Sequence, residues 1–130
     1  EALTAEAGDA LYAWGVLCYA RHAYGDAAAL FCAVQRRRPP SLRLWVAVAA
    51  AELARGEHAR AAQAFARAHE LDPTDAAVLF HWAEAEFLMS HTASALRLLE
   101  MMGSTSAGAA GRRPELARWS AELRTRIEQR

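Results

Sequence analysis

A spacing of 34 residues runs through this chain and constrains its fold more than any other feature. It is clearest between Gly56 and Pro73. There Ala61, Phe65 and Ala68 fall at i, i+4 and i+7, on one face of a helix. Pro73 closes that helix, because the residue before a proline is pushed out of the α region. Moving back by 34 turns Ala61, Phe65, Ala68 and Pro73 into Ala27, Phe31, Val34 and Pro39, and moving forward gives Ala95, Leu99, Met102 and Ala107. The helices that precede these segments repeat as well. Leu11, Trp45 and Leu79 share one register; Trp14, Val48 and Trp82 share another; Gly15, Ala49 and Ala83 form a third that is small in every copy. Where two helices cross closely, a side chain larger than a methyl would hold them apart. The third copy is the weakest, with Ala107 in place of proline and Ser90 in place of Gly56.

Small, aromatic, small and proline at these offsets is the signature of the second helix of a tetratricopeptide repeat. The expected fold is therefore all-α: an α-solenoid of three tetratricopeptide repeats plus a C-terminal capping helix. The repeats are expected at 8–41, 42–75 and 76–107, a linker at 108–113 and the capping helix at 114–130. Within the repeats the helices read as 9–21 and 24–38, 42–55 and 57–71, and 76–89 and 92–102, with only weak helical character over 1–8. Leu11, Trp14, Gly15 and Cys18 are expected to face the partner helix. Ser41 is the expected N-cap of the second pair, and Asp75 or Thr74 that of the third. The Gly/Ser/Ala-rich run 103–111 reads as a linker or long loop. After Pro114, Leu116, Trp119, Leu123 and Ile127 recur at three- and four-residue steps, a stripe suited to covering the apolar face at the end of a repeat stack.

At 130 residues the chain is long enough for one domain with a real core. Fifteen arginines, with no lysine, balance fifteen acids, and a net charge of zero argues against general electrostatic attraction to nucleic acid. No stretch of about 18 apolar residues lacks a charge, so no membrane-inserting span is expected. The sequence begins at Glu1 rather than methionine and reads as trimmed, which leaves a preceding segment or targeting signal open. Cys18 and Cys32 have no metal-ligand spacing; they read as small buried hydrophobes in a reducing compartment, with a disulfide as the less favoured alternative.

In repeat stacks the first helices line the concave side. Once the packing registers are assigned, three rows on these helices are left over: Tyr12, Val46 and Phe80; Val16, Ala50 and Glu84; Tyr19, Leu53 and Phe87. Within each helix the three lie at i, i+4 and i+7. Eight of the nine are apolar and four are aromatic. A solvated surface would be polar, so these nine residues are the candidate peptide-binding groove. The competing reading is that the aromatic stripe is simply core.

Leu11-Tyr12, Tyr19, Tyr24, Asp26-Ala27 ahead of Phe31 and, above all, Phe80-His81-Trp82-Ala83-Glu84 resemble the class II chaperones of type III secretion systems, the small cytosolic partners of hydrophobic translocators. The Phe-His-x-Ala-Glu run is the specific part; the resemblance extends from Asp9 to Met102 and loosely through the final helix. It implies a bacterial cytoplasmic chaperone whose groove holds an extended, proline-containing segment near the translocator N-terminus. Tyr12 and Tyr19 match groove tyrosines of that family, Val46, Ala50 and Leu53 the middle of the groove, and Phe80 its far end. Val16 and Ala50 are smaller than the family pattern, the neutral charge departs from its acidic norm, and the family's N-terminal helix used in dimer contacts is largely missing. Self-association as a homodimer stays open.

His81 and Glu84 lie three apart and could start a metal site, but no further ligand stands near them, and packing or hydrogen bonding is the favoured role. Arg36-Arg37-Arg38 suits a helix C-terminus, where cations favour the dipole. Ser104-Thr105-Ser106 has the composition of a linker. There is no phosphate loop and no nucleophile with a credible base, so neither catalytic residues nor a cofactor is expected. The alternatives are a generic repeat adaptor for another peptide, or a secretion-apparatus subunit paired permanently with another protein.

Overall fold

The computed structural model describes residues 3–105 and 114–129. These form seven helices: α1 (Ala5–Ala20), α2 (Tyr24–Arg37), α3 (Leu42–Ala54), α4 (His58–Leu71), α5 (Ala76–Leu88), α6 (Thr92–Thr105) and α7 (Pro114–Glu128). The all-α expectation holds. The chain divides into two compact units, Glu1–Ala64 and Phe65–Arg130, with the division inside α4.

The helix ends follow from local chemistry. Thr4 Oγ1 accepts from Ala7 N at 3.1 Å, so α1 starts at Ala5, four residues earlier than the sequence suggested. Ser41 caps α3 through Leu44 N, and Asp75, not Thr74, caps α5 through Val78 N at 3.1 Å. Thr74 is engaged elsewhere: Asp72 Oδ1 accepts from its backbone N–H and its hydroxyl. Those two bonds lower the Asp72 pKa, the side-chain bond most. At the other end, α6 runs through Gly103 to Thr105, which shortens the expected linker. Ser104 Oγ joins this extra turn by donating to the Met101 carbonyl. The rest of that run, Ala107 and the 108–113 linker lie outside the described residues.

The three turns between paired helices are built alike. His22, Gly56 and Ser90, each 34 apart, all have positive φ, at 63°, 86° and 65°. The following amide in each case returns to the carbonyl five residues back: Ala23 to Cys18 at 2.8 Å, Glu57 to Glu52 at 2.9 Å, and His91 to Glu86 at 2.9 Å. Only the second copy uses glycine, the residue that adopts this conformation without strain. Ser90→Gly is therefore expected to raise stability by about 0.5–1 kcal/mol, read from a urea unfolding midpoint. A lowered midpoint would show that the serine side chain outweighs the backbone strain.

In the first unit, α2 packs against both α1 and α3. Its core is built on Ala27, Ala28, Phe31 and Val34 of α2 with Leu44, Val48, Ala49 and Ala51 of α3. Leu11 and Cys18 are half-buried and Gly15 is buried, as the shared face requires. Trp14 is not: it is 58% exposed. The same register is buried at Val48 because α2 packs against α3, whereas no helix precedes α1 among the described residues. Glu52 is buried, with Oε1 3.3 Å from Arg55 and Oε2 without a partner. In the second unit, α7 packs against both α5 and α6, and Leu116, Leu123 and Ile127 join Leu79, Phe80, Ala83, Phe87, Leu98 and Leu99 in one apolar cluster. The stripe read from the sequence is thus the face that α7 buries.

Candidate functional site

The first unit holds an open apolar pocket of about 220 Å³, lined by Tyr12, Val16, Tyr19, Phe31, Ala47 and Ala50. Helix spacing explains the walls. Tyr12, Val16 and Tyr19 lie at i, i+4 and i+7 on α1, and Ala47 and Ala50 face them from α3. Phe31 of α2 is only 2% exposed and forms the base. It reaches that place because Gly15 has no Cβ. A Cβ there would stand 2.5 Å from the Phe31 ring. The Tyr12 ring tilts against Phe31 at 5.4 Å between centroids, and Tyr19 meets Tyr24 edge-on at 5.1 Å. Val16 and Tyr19 remain 46% and 38% exposed. Its walls are mainly apolar, so an apolar side chain entering it would bury carbon against carbon.

The nine residues picked out from the sequence do not stay together. Tyr12, Val16, Tyr19 and Ala50 come together as walls of the pocket. Val46 and Leu53 are half-buried and do not line it. Phe80 and Phe87 are 5% and 9% exposed and belong to the core of the second unit. The chain's own α7 supplies apolar atoms against these two, although Phe80 still borders a cavity beside Glu84. The Trp119 ring lies 5.8 Å from Phe80. Phe31 and Ala47 complete the pocket although sequence reasoning had not placed them there. Phe31 carried the signal of a core residue, and it is one. Ala47 sits four residues after Arg43 and three before Ala50, a face that its small side chain left unmarked.

Glu84 lines a separate cavity of about 340 Å³ in the second unit, with Phe80, His81, Trp119, Glu122, Leu123 and Arg126. His81 Nδ1 and Glu84 Oε1 are 2.6 Å apart, so this pair is a hydrogen bond along one helix turn, as the sequence favoured. No group of three or more metal-ligating side chains occurs among the described residues. Cys18 and Cys32 are free and half-buried rather than fully buried. Burial, and then the Glu52 carboxylate, raise the Cys32 pKa and keep its thiol protonated at neutral pH. No described helix is long and apolar enough to cross a membrane.

The tetratricopeptide-repeat sequence model matches residues 42–85. The chain has the tetratricopeptide-repeat fold. Among solved structures, the type III secretion chaperone SycD of Yersinia enterocolitica, in complex with a peptide of the translocator YopD, superposes with a TM-score of 0.87. Identity is 20%, over 97% of this chain and 95% of that one. PcrH from Pseudomonas aeruginosa gives a TM-score of 0.86 at 19% identity, over 98% of this chain and 96% of that one. The Sgt2 tetratricopeptide-repeat domain of Aspergillus fumigatus gives 0.82 at 24% identity, over 98% and 83%. No curated protein sequence matches significantly.

Proposed function

We propose that this protein is a bacterial cytoplasmic chaperone that binds and masks a hydrophobic type III secretion translocator, holding an extended, proline-containing segment of it in the α1–α3 pocket. The observation that carries the reading is the open apolar cavity walled by Tyr12, Val16 and Tyr19, whose side chains stay partly in water. Two supports stand beside it: the Phe-His-x-Ala-Glu run at Phe80–Glu84, and the fold shared with a chaperone solved around a translocator peptide. Burying apolar surface contributes about 25 cal/mol per Å². Proline already restricts such a segment, so ordering it costs little. A short segment seated this way binds in the micromolar range, loose enough for release before export.

The test is a calorimetric titration with N-terminal segments of the translocators encoded beside this gene. Saturable one-to-one binding is expected, weakened roughly tenfold by Tyr19→Ala, with helicity unchanged. Absence of binding to every translocator segment by folded protein would overturn the reading. A second reading, a general peptide adaptor, is favoured by the similarity to the Sgt2 domain. It predicts binding of segments unrelated to translocators, lost with the same Tyr19 substitution. A secretion-apparatus subunit would instead be unstable without its partner.

A further inference from the structure

We infer that the segment held in the α1–α3 pocket carries an acidic side chain two residues from its apolar anchor, and that Arg43 receives it. This rests on the pocket being a binding site and adds what the bound segment must look like. Arg43, Ala47 and Ala50 lie at i, i+4 and i+7 on α3, so Arg43 stands one turn beyond the two alanines that line the pocket, on the same face. Its Cζ sits 4.3 Å from the centroid of the Tyr12 ring, and Tyr12 is itself a pocket wall. The stacking holds the guanidinium at the pocket rim, where a free arginine would sample many positions.

Arg43 also lines a second cavity of about 260 Å³, together with Gly8, Asp9, Arg38 and Ser41. The Arg38 side chain passes over Gly8, so that a Cβ on that glycine would come within 3.3 Å of Nη1. Asp9 is the one carboxylate lining this cavity, and no ion pair joins it to either arginine among the described residues. Two guanidinium groups against one carboxylate leave the cavity with a net positive charge and an open arginine fork. The matching ligand group is a carboxylate, which takes two parallel N–H bonds from one guanidinium.

The spacing follows from the two backbones. Four residues of helix place Arg43 about 6 Å along α3 from Ala47. A fully extended chain covers the same distance in two residues, at about 3.3 Å each, and its side chains two apart share a face. A glutamate or aspartate two positions from the apolar anchor therefore meets Arg43, whereas an adjacent one points away.

The test uses the full chain and synthetic nine-residue peptides with blocked ends. Each carries a central Leu-Pro anchor in a serine background, with a single Glu, Gln or Lys two residues to one side or the other. Fluorescence anisotropy gives each Kd at low and high salt. The Glu peptide of one orientation is expected to bind about three- to fivefold tighter than its Gln counterpart, with the advantage lost in 0.5 M salt and in Arg43→Gln. Arg43→Glu is expected to reverse the order and favour the Lys peptide. Circular dichroism of both variants verifies the fold. Equal affinity for Glu and Gln peptides, with binding still weakened by Tyr19→Ala, would overturn the acidic contact and leave the pocket standing. Failure of all the peptides to bind would overturn both.

Discussion

Gly15→Ala is expected to destabilise the first unit by about 1–3 kcal/mol, although alanine is the better helix former. The two effects have opposite signs. In the interior of an exposed helix the exchange would stabilise by nearly 1 kcal/mol. Here the added Cβ would stand 2.5 Å from Cε1 and 2.9 Å from Cδ1 of Phe31. Phe31 is 2% exposed and in ring contact with Tyr12, so it can yield only into the pocket that it floors. Either the ring leaves its rotamer or α1 lifts away from α2. Both displace the base of the apolar pocket, so peptide binding should weaken along with the urea midpoint. Gly25→Ala is the internal control. It lies in α2, nothing stands within 4 Å of its would-be Cβ, and its φ is unremarkable, so the exchange should be neutral or stabilising. Equal effects from the two substitutions would remove the close helix approach from the account.

Leu116→Ala is expected to cost about 2–5 kcal/mol, the loss typical of a fully buried leucine whose surroundings relax only in part. Leu116 is 1% exposed and, with Leu79 and Leu99, is among the largest side chains buried this completely among the described residues. It ties α7 to α5 and α6 through the cluster that also holds Phe80 and Phe87. The cost should therefore be felt as release of α7. Tryptophan fluorescence should report that release through Trp119, whose ring lies 5.8 Å from Phe80. Trp119→Ala should cost less, because Trp119 is only partly buried. If Leu116→Ala left the unfolding midpoint unchanged, α7 would not be part of the folded core.

The outcome at the candidate site follows the same division between periodicity and docking. Tyr12, Val16 and Tyr19 could be grouped from their spacing alone, because one helix fixes which of its own residues share a face. Phe80 and Phe87 carry the same periodic mark yet are buried. Periodicity says that a face is apolar; it does not say whether another element covers it. The covering helix was itself legible as an amphipathic stripe after Pro114, but not the atoms it would meet. Trp14 shows the converse. Its register is buried at Val48 and half-buried at Trp82, yet at Trp14 itself it stays largely in water. Arg43 escaped notice because a lone charge near a helix start has many ordinary explanations. Only its position over the Tyr12 ring makes it part of the pocket rim.

By itself the sequence determined the repeat, the seven helices, the breaks at Gly56 and Ser90, and the small register at Gly15, Ala49 and Ala83. These depend on contacts within one helix or one helix pair, which recur every 34 residues and so leave a periodic trace. The tertiary structure alone decided which apolar faces remain open. It closed Phe80 and Phe87 into the core with α7, left Val16 and Tyr19 in water above Phe31, and set Arg43 on Tyr12. The physical reason is that burial belongs to pairs of surfaces: an apolar face is core or binding site according to what packs against it, and that partner lies elsewhere in the chain or outside it.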